Sequence, residues 1–256
     1  MGSVNKYLVV GASSEVGITL IRDILSGKGN TTESGERMEN LSILAHYAHS
    51  DEALMKLKEE FPDVDITLAQ ADLGSMEDTE RFIGQIAEWG CPDAVVYLPA
   101  SKFEYMRVKG LSWEKIEKEL EIAVRGFALI CKAVLPLMSK QKYGKVVVML
   151  TEYTLGMPPR FMSHYVTAKY ALLGFMKAMA SEYGDKGINI NGISPAMMDT
   201  KFLENIDERI IAMNAESNVM KRHVKVEEVV SGIRFLLSEG SDYMSGVNMN
   251  MSGGNR

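Results

Sequence analysis

Short apolar runs, in which polar residues hardly alternate with nonpolar ones, take turns along this chain with longer stretches whose apolar positions recur with a helical period. The first such pair is Lys6 to Gly11 followed by a helical pattern from Ser14 to Ser26, and the second is Leu41 to Tyr47 followed by Asp51 to Phe61. The alternation continues through Asp65 to Ala69, a helix from Met76 to Trp89, Ala94 to Leu98 and a long helical stretch from Ser112 to Met138. It closes with Lys145 to Leu150, a helix from Ser163 to Tyr183, Ile188 to Ile193, a helix from Val226 to Leu237, and Val247 to Met251. Consecutive Val, Ile and Leu suit a strand covered on both faces, and helices between such strands supply the cover. The pattern predicts a single doubly wound α/β domain over residues 1–256, with seven parallel strands.

Two connections break the rhythm. Residues 27–40 (GKGNTTESGERMEN) are polar, glycine-rich and longer than a helix-to-strand connection usually runs, so an inserted surface loop is expected there. Residues 195–224 follow the sixth strand, where the carboxyl ends of parallel strands open into a crevice, and a substrate lid is expected.

Composition narrows the partners. At 256 residues, 46% hydrophobic and 24% charged, the chain can build one large core. A formal net charge of −6 without any Lys or Arg run argues against nucleic acid and anionic membranes, both of which are bound through clustered cations. Lys6 leads directly into the apolar run Tyr7 to Val10, no leader-like segment is seen and no later stretch reads as a membrane span, so a cytoplasmic protein is expected. Cys91 and Cys131 lack the spacing of a zinc site or redox pair, and no metal is expected.

Candidate chemistry begins where Tyr7 to Val10 runs into Gly11-Ala12-Ser13-Ser14-Glu15-Val16-Gly17 and then a helix. Glycine lets the backbone turn tightly beside a pyrophosphate, whose charge is met by N–H groups at the helix N-terminus. Farther on, Tyr165 and Lys169 stand four apart, one above the other on a helix face. An ammonium beside a phenol draws down its pKa and makes it usable as an acid at neutral pH; the same spacing also occurs on solvated helix faces.

These segments, with Asp72-Leu73, Asn191, Ser194-Pro195-Ala196-Met197-Met198-Asp199-Thr200 and Ser245-Gly246 to Gly253-Gly254, stand in the order and spacing of the single-domain short-chain dehydrogenase/reductase superfamily. The chain resembles that family over nearly its whole length, in particular its 3-oxoacyl-[acyl-carrier-protein] reductase-like members. The resemblance implies a Rossmann-type fold and an NAD(P)-dependent oxidoreductase interconverting a carbonyl and a secondary alcohol. It implies that Tyr165 exchanges a proton with the substrate oxygen, while Lys169 lowers its pKa and holds the nicotinamide ribose. Gly11, Ser13, Ser14, Val16 and Gly17 become the phosphate-binding turn, Asp72 and Leu73 contacts of the adenine, and Met198 and Thr200 contacts of the nicotinamide carboxamide, with Pro99, Ala100 and Pro195 further cofactor contacts. Without the resemblance, Asp72 reads equally as a cap or turn residue and Thr200 as an N-cap.

The departures from the family are as informative. Glu15 stands where relatives usually have a third glycine of the turn, and its carboxylate would face a pyrophosphate unless it turned outward. The usual Asn-Asn-Ala-Gly becomes Tyr97-Leu98-Pro99-Ala100, and the asparagine that helps seat a proton-relay water becomes Ala123. Counting back thirteen residues from Tyr165, where relatives carry a serine, gives Glu152. Thr151 or Tyr153 could supply the hydroxyl after a one-residue change in loop length, Glu152 itself could do acid or base work in a dry pocket, or it could point to solvent.

His46-Tyr47-Ala48-His49-Ser50, at the end of the second strand, offers neither the acid expected for NAD nor an arginine. It points to NADP ahead of NAD, with Tyr47, His49 and Ser50 as phosphate donors, although His46 and His49 also read as plain loop residues. Met157, Pro158, Pro159, Phe161, Met162, Met197, Met198 and Phe202 suggest an apolar pocket for a small acyl-type or alicyclic substrate. Two other readings stay open: a lyase or isomerase pairing Glu152 with Tyr165, and a nucleotide-binding relative with little turnover. Family habit implies a homodimer or homotetramer, and the apolar stretch from Ile122 to Leu137 suits such packing.

Overall fold

The computed structural model describes residues 5–27, 41–102 and 104–254. The apolar runs form β1 (Lys6–Val10), β2 (Ser42–Tyr47), β3 (Asp65–Gln70), β4 (Ala94–Tyr97), β5 (Gly144–Met149), β6 (Ile188–Pro195) and β7 (Asn248–Met251). All neighbours pair in parallel, in the spatial order β3-β2-β1-β4-β5-β6-β7. Every residue of the central strands β4 and β5 is buried, which is why these strands read as unbroken apolar runs.

Seven strands need cover on two faces. The helices are α1 (Glu15–Leu25), α2 (Glu52–Glu60), α3 (Met76–Trp89), α4 (Trp113–Leu120), α5 (Gly126–Gln141), α6 (Ser163–Tyr183), α7 (Glu208–Ser217) and α8 (Val226–Leu237). Leu20, Ile24, Leu54, Leu57, Ile233 and Leu236 put α1, α2 and α8 on one face, and Phe82, Ile86, Phe127, Ile130, Leu172 and Met176 put α3, α5 and α6 on the other. The strand order reverses between β1 and β4, so their connections diverge and leave a crevice beyond the carboxyl ends. Serine caps fix two helix starts: Ser14 Oγ accepts from Gly17 N at 3.1 Å, and Ser75 Oγ from Asp78 N at 3.3 Å.

Among the described residues the structure differs from the sequence pattern in two places. α7, within the expected lid segment, has no fully buried residue, and only Ile211 packs onto the cluster around Tyr165. The inserted loop falls outside the described residues except for Gly27. The predicted helix from Ser112 to Met138 is α4, a π-helical turn over Glu121–Arg125, and α5. By length and composition Trp113–Gln141 is apolar enough to cross a bilayer, against the sequence expectation. Its apolar side instead packs into the core through Phe127, Ile130, Val134 and Met138.

Tyr97 accounts for the environment of the π turn. Standing where relatives have an asparagine, its fully buried phenol crosses to the helix and donates to the Ile122 carbonyl. A wide turn frees carbonyls that an α-helix would use, and this one is satisfied by the tyrosine. The ring passes only because residue 126 is glycine, since a Cβ there would sit 2.7 Å from the Tyr97 hydroxyl. Gly126→Ala is therefore expected to destabilise the fold by about 1–3 kcal/mol. In urea unfolding, Tyr97→Phe should recover part of that loss by removing the clashing oxygen. Strictly additive effects of the two substitutions would contradict the contact.

Candidate active site

Steric limits shape the turn after β1. Gly11 has φ +78°, and a Cβ there would lie 3.3 Å from Leu98 Cβ and Pro99 N, so the β4 exit packs directly against the turn. A Cβ on Gly17 would lie 2.5 Å from the Ala12 carbonyl oxygen, so α1 starts flush against the turn with its first N–H groups facing the crevice. This is a cradle of bare backbone at a helix N-terminus, and it fits the pyrophosphate of a dinucleotide.

His46 holds the cradle from behind. It is 2% exposed; Gly11 N donates to its Nδ1 at 3.1 Å, and its Nε2 donates to the Ala71 carbonyl at 3.0 Å. With Nδ1 accepting, the ring is neutral, and burial holds its pKa down to about 4. The plain-loop reading of His46 is thus corrected: the residue couples β1, β2 and the exit of β3. Glu15 also finds a partner, because its Oε1 accepts from Lys201 N at 2.9 Å. The carboxylate turns across the mouth of the crevice to the segment after β6 and does not occupy the turn.

Beyond the carboxyl ends of the strands lies a cleft. Its floor is Met149, Leu150 and Thr151 from the end of β5, its walls include Ser14, Glu15, Val16, Leu98 and Ala100, and Pro195 to Met198, Thr200, Phe202 and Leu203 cover it. Tyr165 and Lys169 enter from α6. Lys169, 2% exposed, donates from Nζ to the Met149 carbonyl at 2.8 Å. The Thr151 side chain shares the cleft with the Tyr165 phenol and favours its ionised form. Thr151 also caps the short 3₁₀ turn Glu152–Thr154.

Polar bonds from two strands fasten that turn. Thr154 Oγ1 donates to the Thr151 carbonyl at 2.9 Å and accepts from Asn248 Nδ2 at 3.0 Å, while Ser194 Oγ donates to Asn248 Oδ1 at 2.7 Å. Asn191 works nearby: it donates to the Met244 carbonyl at 2.8 Å and accepts from Val247 N at 3.0 Å, which seats β7.

The electrostatics are set by dryness. Burial pushes the Tyr165 phenol up, Thr151 acts against that rise, and the carboxylate of Glu119 opposes ionisation. The expected lowering by Lys169 is outweighed here, because its Nζ lies 5.8 Å from the centre of the phenol ring and is engaged with Met149. Burial lowers Lys169 itself to about 8, and Glu119 acts against that drop. Tyr153 is likewise pushed up, first by burial and then by Glu152.

The structure brings Tyr165, Lys169, Thr151, Glu152, Ser14, Val16, Ala100, Pro195, Met198 and Thr200 to one cleft. Gly11, Ser13, Gly17 and Pro99 build the turn and its backing without lining the cleft. Tyr47, Ser50, Asp72 and Leu73 stand apart at the ends of β2 and β3. Asp72 accepts from Gly74 N at 2.8 Å as a turn residue, and the Leu73 side chain belongs to the core. Thr200 precedes a 3₁₀ turn but makes no side-chain cap bond.

Glu152 is buried at the cleft and does not point to solvent. None of Met157, Pro158, Pro159, Phe161 and Met162 lines it; Met157 is 91% exposed and Met162 packs into the core beside Tyr165. The end of β2 is not free of acid, since Asp51, a residue read from the sequence only as a helix start, adds to burial in raising the Tyr47 phenol. Sequence reasoning also passed over Glu119, the one buried residue of α4, although an acid amid the apolar positions of a core helix was a visible signal.

A parallel doubly wound sheet with a glycine cradle at the switch point and a buried tyrosine–lysine pair at the adjoining cleft is the architecture of a nicotinamide-dependent oxidoreductase. Residues 37–256 match the family described as enoyl-(acyl carrier protein) reductase. Human dehydrogenase/reductase SDR family member 4 is 27% identical over 259 residues, covering 98% of this chain and 87% of that protein. Among solved structures, a 3-oxoacyl (acyl-carrier-protein) reductase from Agrobacterium tumefaciens C58 with NADP bound superposes with a TM-score of 0.83 at 19% identity, covering 99% of this chain and 95% of that one. A 4-hydroxyisoleucine dehydrogenase complexed with NADH does so with a TM-score of 0.83 at 23% identity, covering 98% of each. The chain belongs to this family and, with it, to the short-chain dehydrogenase/reductase superfamily of NAD(P)-dependent oxidoreductases.

The His46 contacts predict a pH dependence of stability. The folded pKa lies below the unfolded value of 6.5, so the unfolded chain takes up the proton first and stability falls as pH drops from 6.5 to about 4. Over that window the loss attributable to His46 is about 3 kcal/mol. Urea unfolding of His46→Gln should show a correspondingly flatter acid limb; an unchanged limb would contradict the buried neutral ring.

Proposed function

We propose that the protein reduces a carbonyl, or oxidises the corresponding secondary alcohol, on a small, largely apolar or acyl-type substrate, with Tyr165 as acid/base. The observation that carries this is the convergence of the Tyr165 phenol and the Thr151 hydroxyl on one cleft, with Lys169 buried one helical turn along. In the reductive direction Tyr165 gives its proton to the carbonyl oxygen, while the Thr151 hydroxyl holds that oxygen in line and steadies the phenolate left behind. The buried Lys169 ammonium supplies positive charge beside the phenolate as it forms. Leu98, Met149, Leu150, Met197 and Phe202 exclude water and favour an apolar substrate.

The nucleotide supplies the hydride. The cradle from Gly11 to Gly17 would hold its pyrophosphate, Lys169 the nicotinamide ribose, and Pro195, Met198 and Thr200 the nicotinamide. NADP is the proposed cofactor, on the polar surface offered by Tyr47, His49 and Ser50; the acid that favours NAD in its place is Asp51. One related structure carries NADP and another NADH. Residues 195–224 act as the lid: Leu203, Ile206 and Phe202 pack on Tyr165 and Met162, and Lys102 reaches Glu204 at 3.0 Å across the mouth. We further propose a cytoplasmic homodimer or homotetramer with no nucleic-acid or membrane partner. A second reading, a lyase or isomerase, draws on one observation: Glu152 faces the same cleft as Tyr165.

Fluorescence titration with NADPH and NADH should show binding of both, tighter for NADPH, with Asp51→Asn widening the difference. Absence of binding to either nucleotide would refute the proposal. Tyr165→Phe is expected to lower kcat on a carbonyl substrate by about 10² to 10⁴ while nucleotide binding persists; turnover that survives it would remove Tyr165 from the mechanism. Because Glu15 places a carboxylate beside the pyrophosphate site, Glu15→Gly should tighten nucleotide binding severalfold, and weaker binding would show that its bond to Lys201 N matters more than its charge.

A further inference from the structure

The asparagine that relatives carry in the central helix is Ala123 here, and its methyl side chain offers neither a charge nor a hydrogen bond to the neighbouring site. One turn earlier on the same helix stands Glu119, 6% exposed and the one buried residue of α4. Its carboxylate accepts a hydrogen bond from the Ser101 hydroxyl, which fixes it from the loop after β4. α4 packs along α6, the helix that carries Tyr165 and Lys169.

We propose that Glu119 is the counter-ion of Lys169, a positioning residue that keeps the buried ammonium charged in a dry site where the family's amide is missing. A cation removed from water needs an anion or several acceptors, and the carbonyl of Met149 is a single neutral acceptor. The inference rests on the reading of Tyr165 and Lys169 as the acid and its support.

The surroundings of Lys169 agree. Tyr165, Thr151, Glu152 and Tyr153 line the cleft with Lys169, and Glu119 acts on it electrostatically from α4. Lys115, one turn before Glu119, is paired with Glu104 at 2.9 Å and so is committed elsewhere. Electrostatically Glu119 acts on both members of the pair, holding Lys169 up and opposing ionisation of Tyr165. Burial lowers Lys169 to about 8 even with Glu119 acting against the drop. The carboxylate therefore keeps the lysine a cation and the tyrosine a proton donor, the state needed before a carbonyl is reduced.

The test reads Lys169 directly. Trace acylation of the nucleotide-free protein by acetic anhydride across a pH series, followed by peptide mass spectrometry, gives the midpoint of the Lys169 amine without any turnover. Glu119→Gln should move that midpoint down by about one unit, which is about a fivefold faster acylation at pH 7. Glu119→Asp should restore the wild-type curve. Should Glu119→Gln fail to fold, Glu119→Met, which requires no hydrogen-bond partner, reads the same shift. Superimposable curves for wild type and the neutral variants would overturn the inference. Turnover by Tyr165→Phe judges the proposed reaction separately, so the two can fail independently.

Discussion

A single hydrogen bond, from the ammonium of Lys169 to the carbonyl of Met149, fixes the geometry of the cleft. It joins the second turn of α6 to the last residue of β5. Tyr165 lies one turn before the lysine and Thr151 two residues after the carbonyl, so both ends of the proposed acid and its hydroxyl partner are placed by this link. A charged donor on a buried carbonyl contributes about 1.5–3 kcal/mol, more than a neutral bond, and losing either partner would leave the other unsatisfied in a dry site. Everything around the link serves to make it tolerable: the apolar wall that dries it, and the acid on α4 that offsets its charge.

The departures from the usual family sequence are compensated locally. Where an asparagine normally braces the sheet, Tyr97 reaches farther and satisfies a carbonyl of the π turn, and Gly126 makes the room. The loop that carries the missing serine is held by Ser194, Thr154 and Asn248, so that a threonine one position earlier shares the cleft with Tyr165. Glu15, in a position relatives usually leave to glycine, is drawn across to Lys201 N. These exchanges keep the backbone framework while shifting polar atoms from amides to hydroxyls and carboxylates, which makes the site more sensitive to pH than a neutral one.

The fold was legible because each buried strand is an apolar run and most helices carry a stripe. α3, α6 and α8 begin and end where the pattern places them. α7 was missed because it has no fully buried residue, and the π turn because Tyr97, which satisfies it, lies far away in sequence. The tyrosine–lysine pair was legible from its spacing, but the choice among Thr151, Glu152 and Tyr153 was not, since it depends on how a 3₁₀ turn winds after β5. The partners of His46, Asp51 and Glu119 escaped for a related reason. Each acts on a partner in another element, and pairings across elements leave no local period to read.

The hydroxyl of Thr151, in one cleft with the phenol of Tyr165, is the point on which this account turns. Steady-state kcat/KM for carbonyl reduction by Thr151→Val, Thr151→Ser and Glu152→Gln, measured beside NADPH affinity, tests it most directly. The account predicts a loss of about 10²-fold for Thr151→Val, near-retention for Thr151→Ser and a minor change for Glu152→Gln, all with nucleotide binding intact. Turnover that survives Thr151→Val but collapses in Glu152→Gln would contradict it and assign the chemistry to the carboxylate.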